Sequence, residues 1–497
     1  MAFRSAFLLC LSILLSGFFP LCANWQSPPE QFTTSGAGFT PDVAANDNGD
    51  AMAVWIDGAT VKASQFTAGT WGAFTAISTN AGTNFSSKVA FDDSGNALAI
   101  WATTGTPDNS VHSAFFNGTS WSEPAISPLD SSTNVFQSPV VAMDGAGNGI
   151  SAWIELTANE VRSSTFSFSF WNAATTIGTG NGTVSIAENK NDAAVAVWTN
   201  GGVVTANHFA SNAWHTATAI GSGNESEPGV GIASSGNALA IWLENTSGAV
   251  MSSRFNGTSW STPQALSTAN GNTNPTIGVA PGGTAVAVWI DSSNAVQSSI
   301  YNGTSWSAPT RVSSSPLAKQ ADVTVASNGN AMAVWAGLTT DNITEAALPL
   351  GGSWEEQQTV GTFSNPPNQV VGALSTTGTA FAVWIEHGPG STQNAFGAFN
   401  LAIIPPTAPV SISGKVRVNS FASQYDRLHV ITFQPSTDTS TTFYRLRRNG
   451  TIIAELPGIG PFNYVDHNRS SKQLDVYTLT AVDAGGLEST PLTVSLK

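Results

Sequence analysis

From Thr284 to Ile290 the chain sets Ala285, Ala287 and Trp289 on one side of an extended backbone and Val286, Val288 and Ile290 on the other. A strand built this way is apolar on both faces and must be covered from both sides. The same pattern, of which Gly236-Asn237-Ala238-Leu239-Ala240-Ile241-Trp242 is a clear copy, ends at Trp55, Trp101, Trp153, Trp198, Trp242, Trp289, Trp335 and Trp384. Successive copies lie 46, 52, 45, 44, 47, 46 and 49 residues apart, a period that marks one supersecondary unit repeated along the chain. Within a unit, Pro275–Ala280 alternates and meets the turn Pro281-Gly282-Gly283, which predicts a strand a hairpinned to the Trp-ending strand b. Ala295–Tyr301 predicts strand c, and Asn302-Gly303 turns the chain into a more polar strand d over Ser305–Val312.

A second tryptophan marks strand d, in phrases such as Gly303-Thr304-Ser305-Trp306-Ser307-Ala308-Pro309; its copies are Trp25, Trp71, Trp121, Trp171, Trp214, Trp260, Trp306 and Trp354. The two series account for all 16 tryptophans of the chain, so each Trp has a place in the repeat. They are offset: Trp25 precedes the first complete unit, whereas the unit of Trp384 ends at Asn400 with no second Trp. A d strand from the N-terminus can therefore complete the last unit. Closure of this kind predicts an all-β, eight-bladed β-propeller of four-stranded blades, whereas an open solenoid would carry atypical caps. Both tryptophan series are expected to be packing residues, each burying about 150–250 Å². Sugar stacking is the alternative for the d series.

Composition changes this picture at the ends of the chain. Arg4, the uncharged apolar run Ser5–Phe19 and the small-residue phrase Leu21-Cys22-Ala23 predict a signal peptide over residues 1–23, with an uncleaved anchor as the alternative. The mature protein is then secreted, periplasmic or cell-surface. Both cysteines, Cys10 and Cys22, fall within that segment, so a cleaved chain has neither disulfide nor thiolate chemistry. Residues 24–400 carry seven Lys and Arg against 25 Asp and Glu. A net charge near −18 repels phosphate backbones and argues against nucleic-acid binding. No later apolar run is long enough to span a bilayer as a helix.

Two residues beyond the strand-b tryptophans stand Asp57, Thr103, Glu155, Asn200, Glu244, Asp291, Gly337 and Glu386. Rotation would spread the five carboxylates Asp57, Glu155, Glu244, Asp291 and Glu386 around one face, at the b–c loops. They are the candidate ligand-binding residues; turn initiation and strand-end solubility are the plainer explanation. Asn46-Asp47-Asn48-Gly49-Asp50 has some of the oxygens of a calcium loop but not its twelve-residue spacing, and fits a turn better. His112, His208 and His215 lack metal-ligand spacing, and no Gly-x-Ser-x-Gly elbow is present. Catalytic residues, metal and cofactor are accordingly none.

The a–b turns followed by a Trp-ending strand loosely resemble the Asp-box repeats of sialidase-type propellers, and the Asn-Gly-x-x-Trp-Ser phrases resemble those of propeller lectins. The box itself is not reproduced at Asp92-Asp93-Ser94-Gly95-Asn96-Ala97. The sialidase resemblance would further require three substrate-binding arginines and a nucleophilic tyrosine. The repeats offer only Arg162, Arg254 and Arg311, and their one tyrosine, Tyr301, fills a position where sister repeats have Phe.

After a Pro-rich linker at 403–409, residues 410–497 resemble a fibronectin type III domain. Leu428–Phe433 matches its strand B, Phe443–Gly450 its strand C and turn, and Tyr477–Ser489 its strand F and following turn. The resemblance implies a β-sandwich in which Tyr477 is the corner tyrosine, its hydroxyl bonded back to the chain. Phe433 departs from the Trp carried by many members. Arg445, Arg447 and Arg448 are available either to dock on an acidic surface or to remain a solvated strand face.

The expected whole is a signal peptide (1–23), a propeller (24–402), a linker (403–409) and a fibronectin type III module (410–497). The function expected of it is non-enzymatic binding or adhesion, by a monomer, to a protein or glycan partner. The alternative is a glycan-active hydrolase of sialidase type.

Overall fold

A computed structural model describes residues 25–497 except 34–35, 79–81, 106–108, 123–128, 168, 269–270, 315–316, 339–340, 363–366, 388–391, 402–407, 423, 437–440 and 484–487. The expected signal peptide, most of the linker and part of the b–c loop Thr103–Ser110 lie outside the described residues. The chain divides into two compact units, Met1–Ala402 and Ile403–Lys497. No helix among the described residues is long and apolar enough to cross a membrane.

In the first unit the described strands form eight antiparallel sheets of four or five strands, one for each strand-b tryptophan. The sixth is representative: Thr273–Val279, Ala285–Ile290, Val296–Tyr301 and Thr310–Arg311 lie side by side in chain order. The apolar faces of strand b explain why sheets stack. Trp289 packs with Ile241, Val250 and Leu266 of the fifth repeat, whereas Val286, Val288 and Ile290 pack with Ala331, Ala333 and Trp335 of the seventh. All eight strand-b tryptophans are fully buried. First strands touch first strands from repeat to repeat, and Pro367–Leu374 of the eighth repeat touches Gly38–Ala45 of the first.

The eighth sheet takes its fourth strand from the other end of the unit. Glu30–Gln31 pairs antiparallel with Gln393–Asn400, Glu30 opposite Gly397 and Gln31 opposite Phe396. Trp25 lies in a core cluster with Trp384, Val334 and Ala398. Phe32 fills the space in front of Gly397, where an added Cβ would meet its ring at 2.2 Å.

The structure departs from the sequence expectation in strand d. The continuous strand expected over Ser305–Val312 is split into a bridge at Trp306, paired with Tyr301, and the short strand Thr310–Arg311. Pro309 has no N–H to give to a ladder. Ser307 spans the break instead, its Oγ accepting from Ile300 N at 3.0 Å and its carbonyl accepting from Ser299 Oγ at 2.8 Å.

Strand a carries a feature the pattern did not announce. Thr40, Ser86, Ser138, Glu227, Asn274 and Gln369 all have positive φ, between 42° and 56°, at a register shift in the same place of six repeats. A bulge here bends each first strand and turns its backbone N–H groups toward the adjacent repeat. Gln369 Oε1 accepts from Thr40 N at 3.0 Å and Glu227 Oε2 from Asn274 N at 2.8 Å, stitching neighbours together.

In the second unit, Ser411–Phe421, Gln424–Gln434 and Asn463–Asp466 form one sheet. Thr451–Pro457, Thr441–Arg448, Asp475–Asp483 and Leu492–Leu496 form the other. Ile431, Phe433, Tyr444, Leu446, Tyr477 and Leu479 make the core. Tyr477 is buried, but its hydroxyl donates to the Asp466 carboxylate at 2.7 Å and lies 3.0 Å from His429 Nδ1, not to the backbone. The same carboxyl group also accepts from Arg448 at 2.7 Å. Arg445 and Arg447 both engage Glu488 within the same unit, so none of the three arginines is a bare strand-face charge.

Candidate functional site

Asp57, Glu155 and Glu244 end their b strands, Asp291 follows its strand and Glu386 stands one residue before the end of its own, and the structure gives most of these carboxylates a local occupation. Asp57 is buried and pairs with Lys62 at 2.6 Å. Glu155 is buried between Asn134 and Arg162, the latter at 3.2 Å and also 3.2 Å from Asp130. Glu244 caps its own turn, accepting from Thr246 N at 2.9 Å and Ser247 N at 2.8 Å, and the Ser247 hydroxyl together with these bonds holds its pKa down at about 2. Burial pushes Asp291 upward, but bonds from Ser293, Ala295 and Gln297 outweigh it and leave the carboxyl below its ordinary range. Glu386 is half-buried near the end of its strand.

The a–b turns behave as turns. Asn46 Oδ1 accepts from Asn48 N and Asp50 N, and Asp92 and Asp144 repeat that geometry. Lys190, from the turn of the fourth repeat, reaches Asp47 of the first at 3.1 Å and also Asp93 of the second. Nearby, Glu188 has an oxygen buried without a hydrogen bond, and burial with the charges of Asp144 and Asp192 raises its pKa to about 9. Between the first strands a cavity of about 330 Å³ is bordered by Thr40, Ser86, Lys88, Ser138 and Gln369. Lys88 pairs there with Asp42 at 3.1 Å. Burial pushes Asp322, whose Oδ2 accepts from Gly372 N at 3.0 Å, up to about 6.

Strand c supplies a relationship that sequence reasoning missed. The residue after the one paired with each strand-b Trp is Ala63, Ser113, Ser163, Ala206, Ser252, Ser298, Glu345 and Gly397 in repeats one to eight. Indoles of the d series reach back to this position in the preceding repeat: Trp214 Nε1 donates to Ser163 Oγ at 3.1 Å and Trp354 Nε1 to Ser298 Oγ at 2.7 Å. Trp25, completing the eighth repeat, donates to Glu345 Oε1 at 3.5 Å. Seven small residues and one glutamate thus occupy equivalent places. Aligning the c strands on their paired tryptophans would have exposed the exception.

Glu345 is 5% exposed and borders a cleft of about 270 Å³ between the seventh and eighth sheets. Met332, Leu348, Leu374 and Ala380 supply apolar wall, and Glu355 and Glu356 also border it. Burial raises the Glu345 carboxyl to about 7, against the indole bond that lowers it, and burial raises Glu355 as well. A larger groove of about 560 Å³ lies between the first and second sheets, bordered among the described residues by Ala63, Gln65, Thr75, Thr119, Ser120 and Trp121. Trp121 is half-buried against Phe116, ring centres 5.4 Å apart.

The histidines gave a second surprise. The c–d hairpin stacks His208 on His215 with centres 4.0 Å apart, although seven residues separate them. Burial and the neighbouring ring lower the pKa of His208. Among the described residues no group of three or more His, Cys, Asp or Glu is placed to hold a metal.

No family model matches the chain, and no curated protein matches it. Among solved structures it is similar to a six-bladed β-propeller lectin with fucose recognition from the fungus Aleuria aurantia, at 12% identity and TM-score 0.36 over 56% of this chain and 97% of that one. A protein of unknown function from Dyadobacter fermentans matches at 11% identity and TM-score 0.39, over 64% and 94%. A prolyl endopeptidase matches at 9% identity and TM-score 0.40, over 70% and 55%. The chain is all-β, built of small antiparallel sheets, and distantly similar to propeller lectins and one hydrolase.

Proposed function

We propose that the chain is an exported, non-enzymatic binding or adhesion protein whose first unit, residues 24–402, is an eight-bladed β-propeller. A linker at 403–409 joins it to a fibronectin type III module at 410–497. The cyclic contacts of first strands and the pairing of Glu30–Gln31 with the last sheet support the propeller. A three-stranded and a four-stranded sheet around Phe433 and Tyr444 support the module.

The observation that carries the functional reading is the way the b–c carboxylates are held. Glu244 and Asp291 are fixed by the N–H groups of their own turns and stay ionised far below neutral pH. A general acid needs the opposite, a carboxyl raised toward the working pH. Fixed negative charge at repeated positions instead makes a surface that attracts a basic protein partner. The groove at Trp121, whose described wall carries hydroxyl and amide groups beside an indole, suits a glycan.

The test is a glycan array and a panel of basic proteins, run with the mature chain beside sialidase and glycosidase substrates. Binding to the acidic face weakens between about 0.1 M and about 1 M salt, as the screening length falls from about 10 Å to about 3 Å. Turnover of a glycoside that disappears on mutating Glu155, Glu244 or Asp291 would overturn this reading in favour of a hydrolase.

A further inference from the structure

We propose that the cleft between the seventh and eighth sheets binds a small ligand with an apolar body and a protonated amine, and that Glu345 is its counter-ion. This site is separate from the acidic face and stands or falls independently of it. Three observations converge on it. First, Glu345 breaks the repeat: the equivalent positions carry Ser, Ala or Gly, and two of those serines already satisfy an indole N–H. Packing and the indole bond therefore do not require a carboxyl, which is costly to bury without a counter-charge.

Second, the carboxyl has an unused side. Among the described residues Oε1 accepts one hydrogen bond, the 3.5 Å contact from Trp25, and none bonds Oε2. Among the described residues no Lys, Arg or His borders the cleft to serve as its counter-charge. Third, the remaining surroundings select the rest of the ligand. Met332, Leu348 and Leu374 offer apolar contact, and Glu355 and Glu356 add negative charge without a second buried donor set. Hard cations need about six or more converging oxygen ligands, and among the described residues no group of three or more His, Cys, Asp or Glu is placed to hold a metal. An alkylammonium head, with three N–H donors, needs one carboxylate and an apolar sleeve.

The experiment uses the full chain and two probes of equal length, hexylammonium chloride and hexan-1-ol, titrated calorimetrically. Wild type is compared with Glu345→Ser and Glu345→Gln. Serine occupies four equivalent positions, so the Ser variant retains the fold; an unchanged unfolding midpoint or a higher one verifies this. The expected result is hexylammonium binding at least tenfold tighter than hexanol in wild type, with that preference lost in both variants. Equal affinity of the two probes for wild type, equal hexylammonium affinity in wild type and Glu345→Ser, or no binding at millimolar concentration overturns the proposal.

Discussion

Trp25 donates its indole N–H to Glu345, 320 residues further along the chain, and so takes the position that Trp354 takes on Ser298. The N-terminal segment is thereby a working part of the eighth repeat. Replacing Trp25 with Ala is expected to cost about 3 kcal/mol, because a buried indole leaves a cavity beside Trp384 and strips Glu345 of the indole bond. A shift below about 1 kcal/mol in urea unfolding would show that the segment is ornamental.

Deleting residues 24–33 should do more than destabilise. It uncovers the edge of Gln393–Asn400, a row of unpaired backbone groups that invites another chain. The expected outcome is concentration-dependent association in sedimentation or light scattering beyond that of the parent chain.

The strand-b tryptophans differ in one testable way. Trp198 donates to the Thr179 carbonyl at 2.7 Å, whereas the Trp242 N–H is buried without a partner. Trp198→Phe strands a carbonyl and should cost about 1 kcal/mol more than Trp242→Phe, which removes an unsatisfied donor. Equal losses in denaturant unfolding would mean that ring volume alone governs both sites.

Glu188 supplies a pH prediction. Its folded pKa of about 9 lies above its ordinary 4.5, so the unfolded chain gives up this proton first. Its contribution to stability is complete below about pH 4.5, falls as the pH rises toward about 9, and is constant beyond. Glu188→Gln keeps the shape and abolishes the ionisation. The variant should be more stable than the parent at pH 8 and indistinguishable near pH 4, with thermal melts at the two pH values as the measurement. A constant difference across the range would contradict the assignment.

In the second unit, Tyr477→Phe removes the hydroxyl that donates to Asp466 and lies beside His429, and should cost about 1.5–3 kcal/mol, since it leaves a buried carboxyl group short of a partner. The transition belonging to this unit, followed by unfolding of the full chain, should move while that of the first unit does not. Movement of neither would mean that Arg448 and Arg469 alone satisfy Asp466.

Much of this architecture was legible because burial from both sides leaves a coarse mark: Ala-x-Ala-x-Trp can only be a covered strand, and its recurrence announces the sheets. Glu345 was not legible by the same means. Its meaning depends on Trp25, 320 residues away, and on the residues paired with Trp335, neither of which periodicity along one strand can supply. The stack of His208 on His215 escaped for a related reason: a hairpin, unlike a helix, brings together residues of any odd or even separation about its turn. The positive-φ bulge residues carry no shared side chain, Thr, Ser, Glu, Asn and Gln serving alike, so composition could not flag them. The split of strand d was foreshadowed by Pro309 alone.

The pairing of Glu30–Gln31 with Phe396 and Gly397 also sets a clock. Glu30–Gln31 is made well before the strand it pairs with, and at ~5–20 residues per second the wait between them is roughly 20–70 s. Throughout that interval the eighth sheet does not exist, and the earlier segment has nowhere to dock. Translation order and assembly order run in opposite directions here, which keeps the nascent chain unlatched until its partner strand has been made.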